Sequence, residues 1–303
     1  MSQPSLLGLL KQVSRSFYLS LRLLPKPMRE GAGLAYLLAR TSDTLADSEA
    51  VERDLRLEML QKFVDDLEEA AMRQPWPDPL LDGVEHPGEL ELLLRVPELL
   101  ECFKAMSPRQ QGLIRDVIAT ITQGQLNDLE YFSHGSGEAI TAFAASSELD
   151  RYTYQVAGCV GEFWTLLGFE TLGDGFSEHS PDALVEMGVR YGKGLQLINI
   201  LRDLPQDLRA GRCYLPVADP QDREALMMEF RRHCGLAEVL IQQGFDYSAQ
   251  LRKRRLRMAS VLPTMIAEGT LEQLRQASWE QLESGIKVSR ARVYGCLLQA
   301  LLH

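Results

Sequence analysis

Basic runs, cysteine motifs and long apolar stretches are scarce in this sequence, and each scarcity closes off a class of function. Lysine and arginine number 32 against 42 acidic side chains, for a net charge of −10. Without a long basic run, the chain lacks the clustered positive field that nucleic-acid phosphates require. The five cysteines (Cys102, Cys159, Cys213, Cys234, Cys296) are odd in number, scattered and free of CxxC spacing. That speaks against a disulfide framework or a zinc site and fits a reducing cytoplasm. No apolar stretch reaches the ~18 residues of a membrane span, and Met1 to Lys11 lacks the charged start and apolar core of a signal peptide. The histidines (His86, His134, His179, His233, His303) are dispersed and suggest no site, and no GxGxxG fingerprint is present.

What is present is an ordinary globular composition, with 45% hydrophobic and 24% charged residues in 303. That length allows one domain or two. Apolar residues recur at helical spacing, as in Leu55, Met59, Leu60, Phe63, Val64 and Leu67, with charges between them. The pattern predicts an all-helical protein with helices over about 5–24, 28–47, 50–73, 89–104, 108–132, 137–171, 182–208, 222–268 and 270–300. A break is expected near Gly235 or Gly244. Residues 74–88, rich in proline and acidic side chains, read as a flexible surface insertion. No polar linker divides the chain, which favours one domain.

A protein of this charge does not attract anions by its overall field, so an anion site has to be built locally. Two carboxylate pairs suggest how. Asp43 and Asp47 stand four apart toward the end of a predicted helix, and Asp203 and Asp207 repeat the spacing after the apolar helix from Gly194 to Leu201. Residues at i and i+4 share a helix face, where like charges repel unless a cation intervenes. A lone DxxxD is most simply a solvated acidic face. Two copies, each in an apolar helix with an arginine just upstream (Arg40, Arg202), read instead as a site. Hard oxygen ligands without His or Cys favour Mg²⁺, which keeps waters and binds through a few carboxylates plus substrate phosphates. Two such clusters facing one cavity would hold a Mg²⁺–diphosphate assembly, and the chemistry it suits is ionisation of an allylic diphosphate inside an apolar, water-excluding helical bundle. Pro205 predicts that the second helix ends or kinks within its motif.

Four ordered blocks resemble the squalene/phytoene synthase family of head-to-head prenyl transferases. They are Ser14-Arg15-Ser16-Phe17, Tyr36 through Asp47, Tyr152 through Gly161 with its YxxxVAGxVG pattern, and Gln196 through Pro216 ending in GRxYLP. The resemblance implies a single-domain, all-α class I isoprenoid-synthase bundle over residues 1–303 with a central apolar cavity. It implies that Asp43, Asp47, Asp203 and Asp207 bind Mg²⁺, and that Arg15, Arg40, Arg202 and Arg212 contact diphosphate, with Ser14, Tyr36, Gln196 and Asn199 as polar groups of the same pocket. Tyr152 matches the family tyrosine that steers the cation or delivers a proton. Gly158 and Gly161 would let helices or substrate approach closely. The first motif reads DTLAD, without an acidic fourth position, and Pro205 replaces a more usual helix former; neither removes a ligand.

The activity so implied is condensation of two farnesyl diphosphates to presqualene diphosphate. Residues 262–271 and 285–290 resemble segments of the reductive members, which go on to squalene with NADPH, and this makes Lys287 and Arg290 candidates for the cofactor phosphates. Alternatives are arrest at presqualene diphosphate, or dehydrosqualene or phytoene formed by proton loss. A terpene cyclase or head-to-tail prenyl transferase would lack the YxxxVAGxVG and GRxYLP blocks in this order, and a catalytically inactive helical assembly factor would not need all four aspartates. Eukaryotic members carry a C-terminal anchor that the sequence ending at Leu302-His303 lacks, so the expectation is a cytoplasmic form, peripheral at the inner membrane face when an apolar product leaves. The basic run Arg252-Lys253-Arg254-Arg255 with Arg257 reads as a solvated helix face, with anionic lipid or the cofactor phosphate as alternatives.

Overall fold

The computed structural model describes residues 4–14, 17–132, 140–287, 292 and 295–296. Arg15 and Arg290, and most of the last part of the helix expected over 270–300, after Lys287, lie outside them. The helices gather into two compact units, Met1–Glu130 with Leu166–Gly173 and Tyr131–Thr165 with Asp174–His303.

The first unit holds α1 (Pro4–Val13), α2 (Phe17–Leu23), α3 (Lys26–Asp47), α4 (Arg53–Glu68), α5 (Asp78–Asp82), α6 (Pro87–Leu94), α7 (Val96–Lys104) and most of α8 (Pro108–Tyr131). Prolines start several of these helices. Pro27, Pro87 and Pro97 occupy the first turn, where a missing N–H costs no hydrogen bond. Helix α3 packs against α1, α2, α4, α6 and α7. Its inner face (Leu34, Leu37, Leu38, Leu45) is buried, with Phe63 of α4 and Phe103 of α7 also in the core. Residues 74–88 do not form the flexible insertion expected. They contain α5 and bury Trp76, Leu80 and Val84, and the Trp76 indole N–H donates to the Leu93 carbonyl at 2.9 Å. The proline-rich composition concealed three apolar anchors four residues apart.

The second unit holds α9 (Ser146–Thr153), a π-helical turn (Tyr154–Gly158), the start of α10 (Cys159–Leu172), α11 (Pro181–Arg209), α12 (Arg223–Ala249), α13 (Arg254–Gln276) and α14 (Trp279–Glu283). Helices α11, α12 and α13 pack against one another. Extended structure among the described residues is slight: β1 (Thr141–Ala142) pairs in parallel with β2 (Arg212–Cys213), and Ser177 bridges Leu251. The all-α expectation holds.

Several helix boundaries differ from expectation. The helix expected over 89–104 is two, α6 and α7, meeting at Arg95; the one expected from 137 starts at Ser146, after β1; and α13 runs through the boundary expected at 268–270 and ends at Gln276, before α14. Helix α12 runs through Gly235 and Gly244, and the chain turns instead at residues 250–253. A Cβ at Gly244 would meet Thr264 Oγ1 at 2.3 Å and the Tyr191 ring at 2.8 Å, so this glycine serves close packing of α12 on α11 and α13. The break falls at the basic run. There the Arg252 N–H donates to the Phe176 carbonyl at 2.9 Å, and Arg257 donates to the Leu251 and Arg252 carbonyls at 3.0 Å each. Helix α11 likewise passes unbroken through the buried Pro205, which removes one hydrogen bond in a helix held by packing.

Candidate active site

In the first unit the site residues line one face of α3. Tyr36, Arg40, Asp43 and Asp47 follow at steps of four, three and four, which keeps them within about one sixth of a turn of each other. The Tyr36 hydroxyl donates to the Val13 carbonyl at 3.2 Å and its ring stacks on Phe17, 5.2 Å between centroids. Burial pushes its pKa up to about 12, so it stays a neutral donor. Ser14 is buried and gives its proton to the Leu10 carbonyl. Arg40 pairs with Glu89 of α6 and lies 3.7 Å from Asp43 Oδ2; its Nε is buried with no hydrogen-bond partner among the described residues. Asp43 keeps 41% of its side chain accessible. Desolvation, and then the Asp47 carboxylate, push its pKa up to about 7 against the opposing pull of Arg40 and a hydrogen bond from Gln125. Asp47 is exposed.

The second unit repeats this logic on α11. Gln196, Asn199, Asp203 and Asp207 share a face, with Asn199 Nδ2 3.5 Å from Gln196 Oε1. Arg202 closes over Asp203 with two contacts, Nε to Oδ1 at 2.8 Å and Nη2 to Oδ2 at 2.5 Å. Gly211 follows the helix at φ 79°, a left-handed position that a side chain would disfavour. It reverses the chain so that Arg212 in β2 returns to within 3.8 Å of Asp207 Oδ1. The β1–β2 pair fixes that return, with Thr141 N–H on the Gly211 carbonyl and Phe143 N–H on the Cys213 carbonyl. Tyr152 stacks on Tyr214, 4.8 Å between centroids and 20° from parallel, and both meet Phe143 edge-on.

Three participants escaped the sequence reading. Gln125 lies in a predicted helix of mixed composition with no motif around it, Glu89 opens the helix predicted over 89–104, and Tyr214 lay inside the GRxYLP block but was read only as motif. Of the expected residues, Lys287 is exposed and follows the end of α14.

A divalent metal can be tested against these donors. Among the described residues, no three or more His, Cys, Asp or Glu side chains converge as a metal cage. Each helix instead presents two carboxylates, and the desolvation of Asp43 and the Asp47 carboxylate beside it, which together raise its pKa, are costs that a bound cation would offset. Two hard-oxygen ligands per cluster fit Mg²⁺ with water and phosphate completing its shell, and do not fit a zinc site.

Comparison with known proteins bears on the family and the fold. The family model described as squalene/phytoene synthase matches residues 10–292. Presqualene diphosphate synthase of Rhodopseudomonas palustris is 31% identical over 201 residues, 66% of this chain and 58% of that protein. Squalene synthase of Eremothecium gossypii is 28% identical over 310 residues, 96% of this chain and 66% of that protein. The chain spans about half the length of the curated relatives it matches. In fold it resembles TcSQS in complex with the ligand E5700, with a TM-score of 0.79 at 22% identity over 99% of this chain and 87% of the other. With its helical architecture and the family match over most of its length, the chain belongs to the squalene/phytoene synthase family.

Proposed function

We propose that the chain condenses two farnesyl diphosphates head to head into presqualene diphosphate, with Mg²⁺, and then converts this to squalene with NADPH. The observation that carries the reading is the repeated arrangement on α3 and α11: two aspartates on one face, four residues apart, with an arginine against the first. In the first half-reaction the C1–O bond of one substrate breaks and its diphosphate leaves. C1 adds to the double bond of the second substrate, and loss of a proton closes a cyclopropane. In the second, the remaining diphosphate leaves and the skeleton rearranges; NADPH, when bound, would supply the hydride that the final cation takes up.

Mg²⁺ held by Asp43, Asp47, Asp203 and Asp207 would offset the negative charge that develops on the departing diphosphate. The guanidinium groups of Arg40, Arg202 and Arg212 suit its oxygens through paired N–H donors, and Arg40 has Nε in reserve. Gln196, Asn199 and Tyr36 supply neutral donors. The stacked rings of Tyr152 and Tyr214 offer a π-face to a carbocation, and the Tyr152 hydroxyl is the candidate for moving a proton. Lys287 is the described candidate for the NADPH phosphates.

The test is a product chromatogram from farnesyl diphosphate and Mg²⁺ with and without NADPH. Squalene is expected only with NADPH. Accumulation of presqualene diphosphate despite NADPH would remove the reductive step, and faster turnover of a C20 diphosphate to phytoene would move the protein to the carotenoid branch. No described helix is long and apolar enough to cross a membrane; a cytoplasmic protein with transient bilayer contact during product release is part of this reading. Liposomes added to the same reaction should carry the protein on flotation, and protein left in the unbound fraction would contradict that contact.

A further inference from the structure

Gln125 lies on α8 with 9% of its surface accessible, between buried Thr122 and Leu129. Its Nε2–H donates to Asp43 Oδ1 at 2.7 Å. An ionised carboxylate only accepts, so this contact determines which end of the carboxamide faces Asp43. The other end, Oε1, is buried with no hydrogen-bond partner among the described residues. An apolar side chain of the same length would fill this position without leaving a buried acceptor unsatisfied, so stability alone gives no reason for a glutamine. The hydrogen bond also divides the two oxygens of Asp43: Oδ1 is held by Gln125, while Oδ2 lies toward Arg40 at 3.7 Å.

We propose that Gln125 is a positioning residue for Asp43, fixing the carboxylate so that Oδ2 is presented to a Mg²⁺–diphosphate complex while Oε1 accepts from a water in that ion's hydration shell. Carboxylate ligands are commonly oriented by such partners, and a hydrated ion such as Mg²⁺ brings the donor that Oε1 lacks. The inference rests on the Mg²⁺–diphosphate reading of the α3 face. It goes beyond it by assigning a role to a residue of a different helix.

The test is calorimetric titration of the full-length protein with Mg²⁺ and inorganic diphosphate, alongside the melting temperature of the metal-free protein. Gln125→Met keeps the length of the side chain and removes both polar ends. It is expected to weaken Mg²⁺–diphosphate binding about tenfold or more, with the metal-free melting temperature unchanged or raised. Thr122→Val alters the same face of α8 one turn away and is expected to bind within about twofold of the parent. Gln125→Asn, which draws the amide back by one methylene, should weaken binding as well and serves if the methionine variant does not fold. Affinity of Gln125→Met within twofold of the parent overturns the inference, and so does an equal loss in Thr122→Val, which would mark a packing effect. A parent protein that fails to bind Mg²⁺ with diphosphate overturns the reading of the site and the inference together.

Discussion

Asp43→Asn and Asp203→Asn are each expected to lower turnover of farnesyl diphosphate by at least about 10²–10³-fold, the scale seen when one electrostatic partner of a developing charge is removed, with the helical circular dichroism unchanged. Asparagine keeps the volume and the hydrogen-bonding shape of each site. What it removes is the negative charge that makes the oxygen a metal ligand. For Asp43 the substitution also removes an electrostatic cost. Its pKa in the folded protein, about 7, lies above the ordinary value of 3.8 because of burial and Asp47. A raised carboxyl pKa contributes stability that is present in full below the ordinary value and is lost as pH rises through the folded value. Metal-free parent protein therefore forfeits this contribution by pH 8, whereas the substituted amide carries no charge to accommodate. In EDTA, thermal melts should place Asp43→Asn above the parent at pH 8, with the gap closing toward pH 4. Activity retained in either asparagine variant would remove the metal role from that helix.

Gly161→Ala is expected to be the most damaging small substitution in the second unit. A Cβ at residue 161 would stand 1.9 Å from the Gly188 carbonyl oxygen, and one at Gly188 would stand 2.7 Å from the Gly161 oxygen. The obstruction is backbone on both sides, so no side chain can swing aside and α10 and α11 would have to separate. Overpacking of this kind costs about 3 kcal/mol, which for a chain of this size lowers the melting temperature by roughly 5 °C. Gly192, where a Cβ would meet the Ala157 oxygen at 2.3 Å, belongs to the same close contact. Gly235 supplies the contrast, being exposed within α12 with nothing inside 4 Å of a built Cβ. Gly235→Ala should stabilise by about 1 kcal/mol, the helix-propensity difference. Equal melting temperatures for the two variants would show that the α10–α11 approach is looser than these distances say.

These glycines also show what the sequence disclosed and what it withheld. The helical class, the two aspartate pairs and their arginines were legible because periodicity and i,i+4 spacing are local. The YxxxVAGxVG block was legible as a pattern, yet only the packed helices distinguish Gly161, which closes against Gly188, from Gly235, which touches nothing. Pro205 shows the converse failure, since propensity predicted a break and buried neighbours carried the helix through. Trp76 and Leu80 were hidden by prolines, which mark a turn but not what the turn buries. Gln125 and Glu89 could not be assigned from sequence at all. Their partners, Asp43 and Arg40, lie 82 and 49 residues away, and among the other polar residues of their helices no periodicity singles them out.

The central claim is Mg²⁺-dependent, head-to-head joining of two allylic diphosphates. It is tested most directly by supplying farnesyl diphosphate as the sole organic substrate, without NADPH, and measuring diphosphate release against substrate consumed. The account predicts one diphosphate released for every two substrates consumed, a C30 cyclopropyl diphosphate as the product, and no reaction in EDTA. Release of one diphosphate per substrate without a C30 product, or turnover that persists in EDTA, would contradict it.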